Sequence, residues 1–268
     1  MSNNRKNKKR AVEGGKDAYF TKPEIVDLCL SALLPFQQEN STLIEPSAGD
    51  GAFSNKIKCL AFDLEPKHSS IQKQDFLEFT YAPTGHTIVF GNPPFGFQAA
   101  LATKFINKAA EFADVIAFIL PASFKKQTMK NKVNRHFHLK KQVNLPKDAF
   151  TVDGDSYHVP AVFQVWQRSD KLRKIRKVDV ASNKWIEFTD KKNATFALRR
   201  VGGRAGQVLS GLNHNKVSTY FCCEKQPGVK EVLKTLKFSC KDYTAGVRSI
   251  SQSEIVASLQ RHYRKSKV

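Results

Sequence analysis

Short apolar runs recur along the first two-thirds of the chain with helix-periodic stretches between them, and this alternation restricts the fold more than any other feature. Val115 to Leu120 has no polar side chain and is stopped by Pro121. Ile88 to Phe90 and Leu60 to Asp63 are similar, each ending at polar or Gly/Pro residues, and Thr42 to Glu45 runs into a glycine-containing turn. Strands apolar on both faces are buried on both faces, as parallel strands under crossover helices are. Ahead of these runs, Pro23 to Leu34 places Ile25, Val26, Leu28, Cys29 and Leu33 on one side of a helix with Thr21 as its cap, and between the last two Ala100 to Phe112 is helical in pattern. The spacing predicts an α/β fold with a mostly parallel sheet of βαβ units. From Leu145 to Gln167 two strand-like runs around Gly154 predict an antiparallel hairpin at the sheet edge.

With 268 residues the chain can bury one substantial core and carry a smaller unit beside it. Its net charge of +20 calls for a polyanionic partner, nucleic acid ahead of an anionic membrane surface. Residues 171–268 hold 22 Lys or Arg against 7 Asp or Glu, which is +15 of that total. Three segments follow: a basic disordered arm over 1–16, an α/β domain over 17–170, and a basic region over 171–268. Within the last, Lys171 to Lys177 reads as a linker or exposed strand and Arg199 to Gly206 as a Gly- and Arg-rich loop. Ser251 with Glu254 forms a capping box for a final helix that ends in the basic tail Arg261 to Lys267.

Met1 to Arg10 is polar and basic, unlike a signal peptide or anchor, and Val115 to Leu120 is far too short to cross a bilayer. No membrane partner is expected. The five cysteines form no CxxC pair and are odd in number, which argues for a reducing compartment. A cytoplasmic, nucleoid or nuclear location is expected rather than secretion. His136 and His138 alternate without a partner pair, so no metal site is expected.

Two elements bear chemistry. Glu45-Pro46-Ser47-Ala48-Gly49-Asp50-Gly51-Ala52-Phe53 follows the first strand of the parallel set. Its small residues let backbone approach a ligand closely, and Glu45 can pair with a cation such as an amino group. Asp63, at the end of the next strand, can accept both hydroxyls of a ribose, with Glu65 as a weaker alternative. Asn92-Pro93-Pro94-Phe95 follows a later strand. An asparagine oxygen and the Pro93 carbonyl can accept the two protons of an aromatic amine, which favours a pyramidal nitrogen with an available lone pair. The paired prolines stiffen that backbone, and Phe95 offers a face on which an extruded base can stack.

Together these elements resemble motifs I and IV of the N6-adenine methyltransferases, over roughly residues 17–168. The resemblance implies a Rossmann-like methyltransferase fold, S-adenosylmethionine as cofactor and catalytic roles for Asn92, Pro93, Pro94 and Phe95. It assigns the cofactor to Glu45, Pro46, Ser47, Ala48, Gly49, Asp63 and Asn92, with Asp75 on the adenine amino group and Phe76 beside its ring. Asp17 to Pro23, with Tyr19, Phe20 and Thr21, looks like motif X, which closes over the methionine end. The order X, I, IV resembles the gamma group, in which target recognition follows the catalytic domain. Leu145 to Val165 resembles motif VIII, with Phe150 the candidate aromatic for the target base. One departure stands out: only about seven residues separate Ala52 from the next strand, so the usual helix there is shortened or absent.

Lys125 to Lys147 holds eight Lys or Arg and no acid, which favours phosphate contact through Lys125, Lys126, Lys130 and Arg135. Arg199, Arg200 and Arg204 can clamp a nucleic-acid backbone, or sit in a flexible surface loop. The favoured function is DNA adenine-N6 methylation. RNA is the close alternative, and a silent nucleic-acid-binding scaffold or a protein glutamine methyltransferase ranks lower.

Overall fold

The computed structural model describes residues 19–244 and 247–265. The expected arm over 1–16, Asp17 and Ala18 of the motif X stretch, and the end of the basic tail lie outside the described residues. The chain divides into two compact units between Ile175 and Arg176, where the sequence placed the division at 170/171.

Among its described residues the first unit contains ten strands: β1 (Phe20–Thr21), β2 (Thr42–Glu45), β3 (Leu60–Asp63), β4 (Gln72–Lys73), β5 (Thr87–Gly91), β6 (Val115–Pro121), β7 (Phe137–Asn144), β8 (Phe150–Val152), β9 (Asp155–Tyr157) and β10 (Ala161–Arg168). Seven form one sheet in the order β4-β3-β2-β5-β6-β10-β7. The first five run parallel, and β10 is antiparallel to both β6 and β7. All residues of β5 and β6 are buried, as their apolar composition requires. Pro121 is the last residue of β6 and opposes Ala161, a tolerated place for a residue without an N–H donor.

Helix α1 (Pro23–Leu33) starts with Pro at its first turn, which needs no N–H there. Its N-cap is Lys22, with no side-chain hydrogen bond, so Thr21 does not cap it. Thr21 lies in β1 and its hydroxyl is used elsewhere. Leu28, expected on the apolar side, is exposed, and the buried stripe runs through Ile25, Val26, Cys29, Ala32 and Leu33. Helix α2 (Ala100–Ala109) stops three residues short of the expected Phe112. Between β2 and β3 residues 50–57 make hydrogen-bonded turns instead of a helix, including Asn55 N–H to the Gly51 carbonyl.

The hairpin around Gly154 forms as β8 and β9, but it pairs with β1 in a separate three-stranded sheet. The edge of the main sheet is β7, which had read only as a basic segment. Opposite β10 the register runs Leu139 to Trp166 and then Lys141 to Val165, leaving Lys140 as the extra residue of a bulge. That insertion breaks the two-residue alternation by which a strand is recognised, and it sets Lys140 and Lys141 both in solvent on the edge. Upstream of β7, α3 (Gln127–Lys130) is a single turn.

The second unit is an antiparallel sheet of β11 (Ile186–Thr189), β12 (Phe196–Arg199), β13 (Val208–Leu209) and β14 (Thr219–Glu224), in the order β11-β14-β12-β13. Helices α4 (Val229–Thr235) and α5 (Gln252–Lys265) belong to the same unit. Its own core includes Ile186, Phe196, Leu198, Cys222, Leu233 and Leu259. The capping box forms: the Ser251 N–H donates to Glu254 Oε2 at 2.8 Å, and the Glu254 N–H to Ser251 Oγ at 3.3 Å. The Arg199 to Gly206 loop is ordered by its backbone, with N–H to O=C bonds from Gly202 to Arg248, Ala205 to Gly202 and Gly206 to Arg199.

Gly206 has φ +89°, and a Cβ there would sit 2.4 Å from a ring carbon of Phe238, a member of the second core. Gly206→Ala is expected to cost about 2–4 kcal/mol, from backbone strain plus collision. Gly202→Ala, with φ +96° but open space, should cost only about 1 kcal/mol. Urea unfolding of both variants checks the difference, and equal losses would show that the ring simply moves aside.

Candidate active site

In the sheet β2 lies between β3 and β5, so the chain leaves β2 towards one side and later returns on the other. The carboxyl ends of β2 and β5 are therefore adjacent at a topological switch point, where open α/β sheets take ligands. Residues 45–53 leave the first of these ends and residues 92–99 the second. The two loops are joined directly, because Ser47 Oγ donates to the Asn92 carbonyl at 3.2 Å.

Glu45, the last residue of β2, is 1% exposed. Its Oε2 has no hydrogen-bond partner among the described residues. Burial pushes the carboxyl up to about 8; the neighbouring Ser54 pulls the other way, and the charges of Asp50 and Asp63 add to the rise. Gly91, at φ +130°, makes room for this side chain, since a Cβ there would lie 3.2 Å from Glu45 Cγ. A buried carboxyl with one oxygen unpartnered, beside an open-backboned loop, is suited to a cationic group.

Asp63 is engaged. Its Oδ2 accepts the Gly49 N–H and its Oδ1 accepts the Glu65 N–H, both at 2.8 Å. The carboxylate thus fastens the glycine loop to the end of β3. Each oxygen retains a further lone pair for a hydroxyl donor. Gly49 adopts φ +55°, and a Cβ there would lie 3.7 Å from the Phe20 ring, so Phe20 covers this turn. Pro46 and Ala48 are buried beneath it. Asp75 is half-buried and its Oδ1 accepts the Leu77 N–H at 2.8 Å. Phe76, expected beside a ligand ring, is instead core: it is fully buried among Phe79, Phe105 and Phe112.

Asn92 is held at one end. Its Nδ2 donates to the Tyr19 carbonyl at 3.1 Å and to Thr21 Oγ1 at 3.2 Å. A carbonyl only accepts, so the nitrogen must face β1, and Oδ1 is turned to the other side as an acceptor. Pro93 is buried and Pro94 half-buried. Phe95 is 5% exposed and Phe150 0%. They meet edge to face, with centroids 6.4 Å apart, and Tyr19 lies about equally close to both, at 6.0 and 6.1 Å. Tyr157 stacks on Tyr19 at 5.3 Å. Phe95 and Phe150, expected to present open faces to a base, are instead buried in this structure, packed against one another and against Tyr19.

Of the basic candidates, Lys125, Lys126 and Lys130 are half-buried around α3, and Arg135 is exposed with its Nε donating to the Arg173 carbonyl at 3.2 Å. Arg199, Arg200 and Arg204 belong to the second unit. Arg199 donates to Ser218 Oγ at 3.1 Å, the exposed Arg200 lies 5.6 Å from the centroid of Tyr220, and Arg204 is exposed. Sequence reasoning missed Ser54, Gly91 and Tyr157. Only Gly91 had a signal, a glycine closing an otherwise apolar strand. No described helix is long and apolar enough to cross a membrane.

This strand order, with loops joined across the ends of β2 and β5, defines a methyltransferase-like α/β domain. The chain belongs to the family described as the EDM2 methyltransferase-like domain, whose profile matches residues 21–179. Protein ENHANCED DOWNY MILDEW 2 of Arabidopsis thaliana is 25% identical across 66% of this chain, and the match spans only 16% of that relative's length. Among solved structures, the chain is similar to the N-methyltransferase NodS of Bradyrhizobium japonicum in complex with S-adenosyl-L-homocysteine (13% identity, TM-score 0.39, 55% of this chain and 87% of that one). It is also similar to the 23S rRNA methyltransferase ErmE (12% identity, TM-score 0.39, 57% of this chain and 71% of that one). Likeness at this level is partial, and the fold is defined by the strand order itself.

Proposed function

We propose that the first unit transfers the methyl group of S-adenosylmethionine to the exocyclic N6 of adenine in nucleic acid, with DNA as the favoured polymer. The observation that supports this most is the fixed orientation of Asn92, an acceptor set at the end of β5 and joined to the glycine loop through Ser47. The buried Glu45 carboxyl, with Oε2 unpartnered, suits the amino group of a methionine moiety, and the small residues 47–49 suit close backbone approach. S-adenosylmethionine held there would supply an electrophilic methyl group, its sulfur keeping the electron pair of the bond that breaks. Asn92 Oδ1 and the Pro93 carbonyl accept the amine protons, so the nitrogen lone pair is withdrawn from the ring and forms the new N–C bond. The surplus proton then leaves to water, acidic enough after transfer that no side-chain base is required. Residues 171–268, with +15 of the net charge, supply phosphate contacts.

A second reading is a silent nucleic-acid-binding scaffold. It is favoured by Asp63, whose two oxygens already hold the Gly49 and Glu65 amides. Incubation of the chain with methyl-labelled cofactor and, separately, duplex DNA, single-stranded DNA and structured RNA, followed by nucleoside identification, separates the two. Label in N6-methyladenine of DNA, absent with Asn92→Ala, is the expected result. Label in RNA alone would transfer the reading to RNA, and no label on any polymer despite cofactor binding would leave the scaffold.

A further inference from the structure

Phe97 is 85% exposed, and it is the only aromatic among the exposed large hydrophobic residues described in a chain with 20 phenylalanines. It lies two residues past Phe95, on the segment between β5 and α2. That segment holds it in an unfavourable backbone: Gln98 (φ 52°) and Ala99 (φ 62°) are consecutive non-glycine residues in the left-handed region. The strain is locked by its surroundings. Ala99 is buried, its N–H donates to the Gly96 carbonyl at 3.1 Å, and its own carbonyl accepts Thr103 Oγ1 at 2.7 Å. Gly96 packs so closely that a Cβ there would lie 2.7 Å from Leu101 Cβ. Exposing a phenylalanine on a rigid, strained turn works against stability twice, and strain of this kind gathers at functional sites. The two aromatics expected to receive a base, Phe95 and Phe150, have no open face.

We propose that Phe97 is the stacking platform of this site, taking the π-face of an unpaired nucleobase, either the target adenine or its immediate neighbour. The assignment rests on the nucleic-acid reading above. The turn fixes the backbone that carries the ring, so only side-chain freedom is lost on binding, and any base offers a face to it, so the contact adds affinity without sequence readout. Because Phe97 packs on little, its removal should leave the fold intact.

The test uses the full chain with S-adenosylmethionine and a single-stranded thymidine oligonucleotide containing one adenine. Companion strands carry an abasic site in place of the adenine or of the thymidine beside it. Phe97→Ala should bind the adenine-containing strand about tenfold more weakly, with its melting temperature unchanged, and Phe97→Trp should restore binding. The abasic strand on which the variant and the parent chain become equal identifies the base that stacks. Equal binding by Phe97→Ala and the parent chain on every strand would overturn the assignment, as would an equal loss on all three. In either case, methyl transfer by the parent chain would leave the proposed reaction standing. A parent chain that neither binds nor methylates any strand removes both.

Discussion

With the proposed reaction, Asn92→Ala is expected to lower the rate of methyl transfer by about a thousandfold, with little change in cofactor affinity. The magnitude is that of removing one preorganised hydrogen-bonding group aimed at a reacting centre. The side chain has two ends with separate duties. Nδ2 is consumed by the Tyr19 carbonyl and Thr21 Oγ1, so its loss disturbs positioning, whereas Oδ1, turned to the other side, is the acceptor that the proposed reaction requires, and its loss removes that acceptor. Asn92→Asp keeps an acceptor but sets a carboxylate oxygen against the Tyr19 carbonyl, where only a donor is tolerated, and it should recover little activity. Thr21→Val, which removes one of the two tethers and leaves Oδ1, should lose only about tenfold. Single-turnover transfer with saturating cofactor measures all three. A Thr21→Val loss as large as that of Asn92→Ala would mean that positioning, and not acceptance, is the main duty of the side chain.

Glu45→Gln should stabilise the cofactor-free chain at pH 8 and weaken its cofactor binding at the same pH. The carboxyl has an ordinary value near 4.5 and is pushed up to about 8 in the folded chain by burial. The folded state therefore holds this proton more tightly than the unfolded one. Stability is unaffected below pH 4.5, falls as pH rises between 4.5 and 8, and levels off above, with a total loss on the order of 5 kcal/mol. Glutamine is neutral throughout and removes that slope, so the variant and the parent chain should be alike near pH 4.5 and diverge towards pH 8. Cofactor binding goes the other way. An ammonium group pairs only with the ionised carboxylate, so affinity in the parent chain should climb towards pH 8 and stay flat in the variant. Urea unfolding and calorimetric titration at pH 5, 6.5 and 8 check both halves; parallel stability profiles would show that Glu45 is ionised in the folded chain at neutral pH.

What the sequence disclosed followed from how local each signal was. The strands β5 and β6 were legible because a run without polar residues has few other fates in a chain of this polarity. The glycine loop and the Asn92 tetrapeptide were legible because both lie in consecutive residues. β7 was hidden by the Lys140 bulge, and β11 to β14 by their shortness and mixed composition. The aromatics misled for a different reason. Phe76, Phe95 and Phe150 stand where a ligand-facing ring was expected, but whether a ring faces a ligand or a neighbouring ring depends on residues distant in sequence. Tyr19, itself stacked on Tyr157, settles it for Phe95 and Phe150, and it lies far in sequence from both.

The pairing of β1 with β8 places a condition on biosynthesis. Thr21 is among the earliest described residues to leave the ribosome, and it opposes Phe150, which emerges much later. Until the hairpin that includes Phe150 is made, the short strand that orients Asn92 has no partner and too few hydrogen bonds to persist alone. The nascent α/β core can therefore collapse around β2, β5 and β6 while Asn92 is still untethered. The side chain is set only once translation has passed the strands that follow, so a ribosome-bound fragment ending before residue 150 would be folded in part with Asn92 not yet oriented.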